Sequence, residues 1–209
     1  MKIELERVAP MEIEARSFEI IGQELKHPID EQLAPIIKRV IHTTADFDYA
    51  ENLCFSEGVL DKALTAIKDG AVIVTDTTMA MSGINKKALA KHGGEAFCFI
   101  GDPDVAEAAK AAGTTRAVQA MEKAAKLDRP RIFAIGNAPT ALVHIYEMIA
   151  EGRLDPRLVI GVPVGFVNVV QSKELIMTAD VPYIVARGRK GGSNVAAAIC
   201  NALLYMLGR

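Results

Sequence analysis

Two segments carry side chains whose types and spacing could do chemistry. The first is Gly188-Arg189-Lys190-Gly191-Gly192-Ser193. Its three glycines let a backbone approach a ligand closely, and its two cations supply charge. Ser193 stands where the next helix would be capped. Together they make an anion cradle at a helix N-terminus, or else a solvated turn; the coincidence of glycine, cation and cap favours binding. The Gly-Lys-Ser/Thr order of a nucleotide-hydrolase phosphate loop is missing. The second segment is Gly136-Asn137-Ala138-Pro139-Thr140. Pro139 suits a first helical turn and Asn137 a cap. Its free N–H groups could hold an anion, but spacing alone favours a plain strand-to-helix turn.

The histidines are His27, His42, His92 and His144. His42, in Arg39-Val40-Ile41-His42-Thr43-Thr44, ends a helix. It is either a cation suited to that helix's C-terminus or an acid–base group. His27 precedes a proline in a polar stretch and reads as a surface residue. His92 sits at a helix end before Gly93, and His144 reads as packed within a helix. No pair has metal-ligand spacing, so no metal site is expected. Cys54 and Cys98 fall in apolar strand-like runs and Cys200 in an alanine-rich helix, which reads as buried thiols without a disulfide frame. No G-x-G-x-x-G follows a strand and no G-x-S-x-G elbow occurs, so dinucleotide and hydrolase chemistries lack their signatures.

The elements that must position these residues alternate. Ile13, Phe18, Ile21 and Leu25 suggest a first amphipathic helix. Asp30 could cap a second, with Leu33, Ile36, Ile37, Val40 and Ile41 on its buried side and Pro35 near its start. Strands are expected at Asn52–Phe55, Ala71–Thr75, Ala96–Ile100, Arg131–Ile135, Leu158–Val164 and Tyr183–Ala186. Helices are expected around Leu60–Ile67 and at Pro103–Ala112, Pro139–Ile149, Phe166–Met177 and Val195–Leu207. Buried strands alternating with helices, without hairpin turns, specify parallel βαβ units. The fold class is therefore α/β: a doubly wound, mostly parallel sheet with helices on both faces. Ligands of such sheets bind beyond the carboxyl ends of the strands, which selects Thr75–Met79, Gly101–Pro103, Gly136–Pro139, Pro163–Gly165 and Arg187–Ser193.

The chain has 209 residues, half of them hydrophobic, enough for one domain over residues 1–209 with a sizeable core. Lys plus Arg total 24 and Asp plus Glu 26, which argues against a nucleic-acid binder. The N-terminus MKIELERVAP has no apolar stretch and reads as no secretory leader. No apolar run approaches a membrane span. A cytoplasmic protein is expected.

Several segments together resemble the precorrin-8X methylmutase family, including its cobalt-precorrin-8 branch. They are Glu14-Ala15-Arg16-Ser17-Phe18, Arg39-Val40-Ile41-His42, Gly136–Leu142, Gly161-Val162-Pro163-Val164-Gly165-Phe166-Val167, Ser172-Lys173 and Arg187–Ser193. Their order and spacing run over essentially the whole chain. The resemblance implies an α/β homodimer that moves a methyl group from carbon 11 to carbon 12 of a corrin precursor, an isomerase step of cobalamin biosynthesis. It implies that no cofactor takes part. It makes His42 the proton donor and acceptor, and Ser17 and Arg39 substrate contacts. Arg116, in Gly113-Thr114-Thr115-Arg116, fits a further site position. Asp46–Asn52 looks like the anaerobic, cobalt-containing branch. The tetrapyrrole substrate is flat and apolar with many carboxylate arms, for which Arg16, Arg39, Arg116, Arg189, Lys190 and the Gly191-Gly192-Ser193 amides are suitable partners. Two other classes compete: a corrinoid-binding carrier without turnover, and a nucleotide-dependent enzyme of doubly wound type.

Overall fold

The computed structural model describes residues 6–208; the first five residues of the charged N-terminal segment lie outside them. Six strands form one sheet: β1 Leu53–Phe55, β2 Val72–Thr75, β3 Ala96–Phe97, β4 Arg131–Ile135, β5 Leu158–Gly161 and β6 Tyr183–Ala186. Their order is β1-β6-β5-β4-β2-β3. β2 to β6 pair in parallel, as the alternation of strands and helices requires. β1 departs from it and lies antiparallel on β6, with Cys54 opposite Val185. β6 comes from the other end of the chain, so no crossover joins the pair and the parallel rule does not bind it.

Helices cover both faces. On one lie α1 Ile13–Glu24, α2 Ala34–Thr44, α4 Val59–Lys68, α5 Thr78–Gly83, α6 Lys86–Ala90 and α11 Ser193–Met206, with the short α3 Tyr49–Asn52 between α2 and β1. On the other lie α7 Pro103–Ala112, α8 Arg116–Ala125, α9 Pro139–Ala150 and α10 Val169–Ile176. The strands alternate between the two layers. Ile73, Ile132, Ala134, Ile160 and Ile184 enter the first; Val74, Phe133, Ile135, Val159 and Val185 enter the second. The run Val195-Ala196-Ala197-Ala198 lets α11 lie close on the sheet and beneath α2.

Several boundaries differ from those the sequence suggests. α5, α6 and α8 go unannounced by apolar periodicity; side chains of Thr77, Asn85 and Thr115 cap them, accepting from Ala80, Ala88 and Val118 N–H. Asp30 accepts from Gln32 N–H in the preceding turn and does not cap α2, although Pro35 sits in that helix's first turn as expected. β5 stops at Gly161 and α10 starts only at Val169, because Gly165 and Asn168 take positive φ. Residues 162–168 are consequently loop, and Phe166 and Val167 stand 80% and 79% exposed. β3 ends at Phe97, which puts Cys98 beyond the strand. Cys54 and Cys98 are half-buried, Cys200 is buried, and all three are free thiols.

Candidate active site

α2 buries Ile36, Ile37, Val40 and Ile41 and so turns Arg39 and His42, one helical turn apart, to its other side. Arg39 is clamped. Its two Nη groups donate to Glu14 of α1 at 2.9 and 2.7 Å. Its guanidinium lies between the rings of Phe18 and Tyr205, 5.1 and 5.0 Å from their centres. Arg39 Nε is buried without an acceptor. His42 is exposed, with its ring edge-on to Phe18 at 5.9 Å between centroids. Phe18 therefore spaces Arg39 from His42. Ser17 precedes Phe18, but its hydroxyl donates back to the Ile13 carbonyl. Arg16 bonds to Glu6 at 2.7 Å and to Glu19 at 3.3 Å.

The Gly188–Ser193 turn joins this cluster through Lys190. Its ammonium lies 2.6 Å from carboxylate oxygens of both Asp46 and Asp48, in the loop that follows α2. The bond holds the Asp46 carboxyl below its usual range and the Lys190 ammonium above its own. Inside the turn, Lys173 of α10 is fully buried and donates to the carbonyls of Gly188 and Lys190 at 2.9 and 2.8 Å. A buried ammonium that draws carbonyls inward leaves a turn's cations facing out. In the sequence Lys173 stands out only within the Ser172-Lys173 pair, and its burial beside Ser172 on α10 has no local signal. A Cβ on Gly191 would run into the Val162 carbonyl, so this close approach requires glycine. Ser193 does not cap α11 but opens it; Gly192, at φ 137°, takes the cap position and Ser193 Oγ pairs with Thr77 Oγ1 at 2.7 Å.

Arg189 extends over the Phe166 ring at 5.3 Å and is exposed. Among the described residues no carboxylate pairs with Arg189 or with Arg116. Met79, Phe166 and Val167 give the same carboxyl edge an exposed apolar surface. Arg116 is the first residue of α8, on the other face of the sheet, and Thr115 beside it meets Thr140 of α9 at 3.2 Å. The structure thus gathers Ser17, Arg39, His42 and the glycine turn but leaves Arg116 apart. The Gly136–Ala138 amides are not open to a ligand: all three donate to Asp76, and Asn137 caps nothing. His144 is packed between Glu122 and Glu147. Among the described residues no three His, Cys, Asp or Glu side chains group as a metal would need. A cleft of about 590 Å³ lies at the opposite edge, lined in part by Pro130, Arg157 and Pro182 just before β4, β5 and β6.

An exposed imidazole near a clamped arginine, on a helix whose end is tied to a cation-bearing glycine turn, suits proton transfer on a large, carboxylate-bearing ligand. Comparison with known proteins gives that ligand a class. The family model described as precorrin-8X methylmutase matches residues 12–206. A protein named cobalt-precorrin-8 methylmutase from Salmonella typhimurium is 47% identical, over 95% of this chain and 96% of that one. Another of that name from Priestia megaterium is 46% identical, over 94% and 88%. The crystal structure of a precorrin-8x methyl mutase from Thermus thermophilus superposes with a TM-score of 0.84 at 40% identity, covering 93% of this chain and 96% of that one. Sequence and fold agree over nearly the full length of these relatives, and the chain belongs to the precorrin-8X methylmutase family.

Proposed function

We propose that this methylmutase of cobalamin biosynthesis moves a methyl group from carbon 11 to carbon 12 of precorrin-8 or its cobalt form, with His42 lending and recovering one proton. The observation that carries the reading is the joining of two distant segments. Lys190, bonded to Asp46 and Asp48, brings the glycine turn to the end of the helix that bears His42. An imidazole can act as an acid toward the conjugated macrocycle. The methyl then migrates with its bonding electron pair toward the positive π-system, and the proton returns to His42. Atoms and charge balance, and no cofactor is required.

In this reading the free Arg189 and Arg116 hold carboxylate arms of the substrate. Arg39 and Ser17 shape the ground around His42. Arg16 and Lys190, engaged by Glu6, Glu19, Asp46 and Asp48, reach the substrate by exchanging one carboxylate for another. The Gly191-Gly192-Ser193 backbone approaches an arm closely. The whole chain acts as one domain, in the cytoplasm and as a homodimer; no helix among the described residues is long and apolar enough to cross a membrane. The names of the Salmonella and Priestia relatives support a substrate that carries cobalt.

The experiment is an absorption spectrum. The protein alone, added to precorrin-8X or to its cobalt form, should convert the spectrum to that of the isomerised product, because moving the methyl changes the conjugation. Conversion with neither form would leave a corrinoid carrier as the better reading.

A further inference from the structure

The parallel strands run β3-β2-β4-β5-β6, so the winding of the sheet reverses between β2 and β4. Open sheets of this order bind a ligand's anionic group in the crevice at that reversal, on the N–H groups that open the next helix. Here the crevice is filled from within. Asp76, the residue after β2, is 2% exposed. One of its carboxylate oxygens accepts from Gly136 N–H at 2.9 Å; the other accepts from Asn137 and Ala138 N–H at 2.8 and 2.6 Å. Pro139 follows and has no N–H, so Asp76 takes the turn's run of donors entire. Burial pushes the Asp76 carboxyl up, and the three N–H bonds offset only part of that rise.

The turn that Asp76 holds is the seat of the other glycine turn. A Cβ on Gly136 would lie 2.7 Å from Ser193 Cα and 2.8 Å from the Gly192 carbonyl oxygen, so the two backbones are in contact. Thr77, next to Asp76, holds Ser193 Oγ from the other side at 2.7 Å. Adjacent residues after β2 thus grip the point where the glycine turn enters α11.

We propose that Asp76 is a positioning residue for the reaction: its carboxylate stands where such sheets otherwise hold a ligand's anion, fixes the β4–α9 turn, and through Gly136 sets how the Gly188–Ser193 turn meets the substrate's carboxylates. The inference rests on the reading that this turn holds those carboxylates. It predicts that a small diffusible anion can replace the side chain.

The test titrates Asp76→Ala, Asp76→Asn and Arg189→Ala with the coloured corrinoid product, with formate or with chloride at equal ionic strength. Turnover is followed in parallel. Asp76→Ala should bind product about ten- to a hundredfold more weakly, while kcat falls no more than about threefold. Formate should recover most of the lost affinity in Asp76→Ala and change nothing in the parent. Loss of packing alone would not respond to formate over chloride. Asp76→Asn, nearly isosteric, turns an NH2 toward the turn's donors and should also weaken product binding. It carries the test if the alanine variant fails to fold. Parental affinity in a folded Asp76 variant, or a loss in Asp76→Ala that formate does not recover, overturns the proposal. If Arg189→Ala binds product like the parent, the carboxylate reading of the turn fails and this inference falls with it. If Arg189→Ala binds weakly but the Asp76 variants do not, this inference alone falls.

Discussion

Arg39 and Arg189 carry the same charge but stand in different states. Arg39 is already bonded to Glu14 and stacked between Phe18 and Tyr205. Among the described residues, the Arg189 guanidinium meets an aromatic face and no carboxylate. A charge-assisted bond to a carboxylate is worth about 1.5–3 kcal/mol, so Arg189→Ala should weaken product binding roughly ten- to a hundredfold. It should also flatten the salt dependence, because an exposed charge pair is screened. Arg39→Ala should weaken binding with less change in salt dependence, since its charge is already paired with Glu14 and its loss mainly disturbs the packing of Phe18 and Tyr205. Titration at low and moderate salt separates the two; parental binding by both variants at both salts would reduce the glycine turn to a connector. At this scale the sequence was legible only in part. Residue type and the family likeness singled out Arg39, Arg189 and His42. The ion-pair partners of Arg39 and Lys190, which are Glu14, Asp46 and Asp48, come from segments up to 144 residues away along the chain, and no local pattern announces them.

Among the elements, the strand ends decide where chemistry can occur. The alternation of apolar runs gave all six strands and most long helices, because fully buried strands and amphipathic helices write their period into the chain. It missed α5 and α6, too short to show a period, and α8, whose alanine-rich buried side is only weakly apolar. It also missed Lys173, whose role depends on a turn fifteen residues later. Burial lowers the Lys173 ammonium from 10.5 to about 8. Between those values the unfolded chain keeps a proton that the folded chain has released. Unfolding free energy should therefore rise with pH from about 8 to 10.5 on this group's account. In Lys173→Met that rise should be reduced, as urea denaturation across this range would reveal, and product affinity should fall because the carbonyls of Gly188 and Lys190 are no longer held. An unchanged pH slope together with parental product affinity would contradict this role.

For the whole molecule, one sheet separates two helical layers, and the proposed site lies at its carboxyl edge, near α1, α2, the 162–168 loop and the glycine turn. The homodimer is a separate expectation: sedimentation equilibrium should give twice the mass of the chain, and a single-chain mass at micromolar protein would contradict it. Nothing in the sequence alone could say which arginines are already spent within the protein, because that depends on how distant loops meet. In the proposed reaction His42 moves a proton in the transition state and does little for ground-state binding. Single-turnover conversion of cobalt-precorrin-8 by His42→Ala, beside a titration of the same variant with product, tests it most directly. Conversion should slow by about a hundred- to ten-thousandfold while product affinity stays near that of the parent. Conversion at a near-parental rate would contradict the account and leave His42 as a cation at the end of its helix.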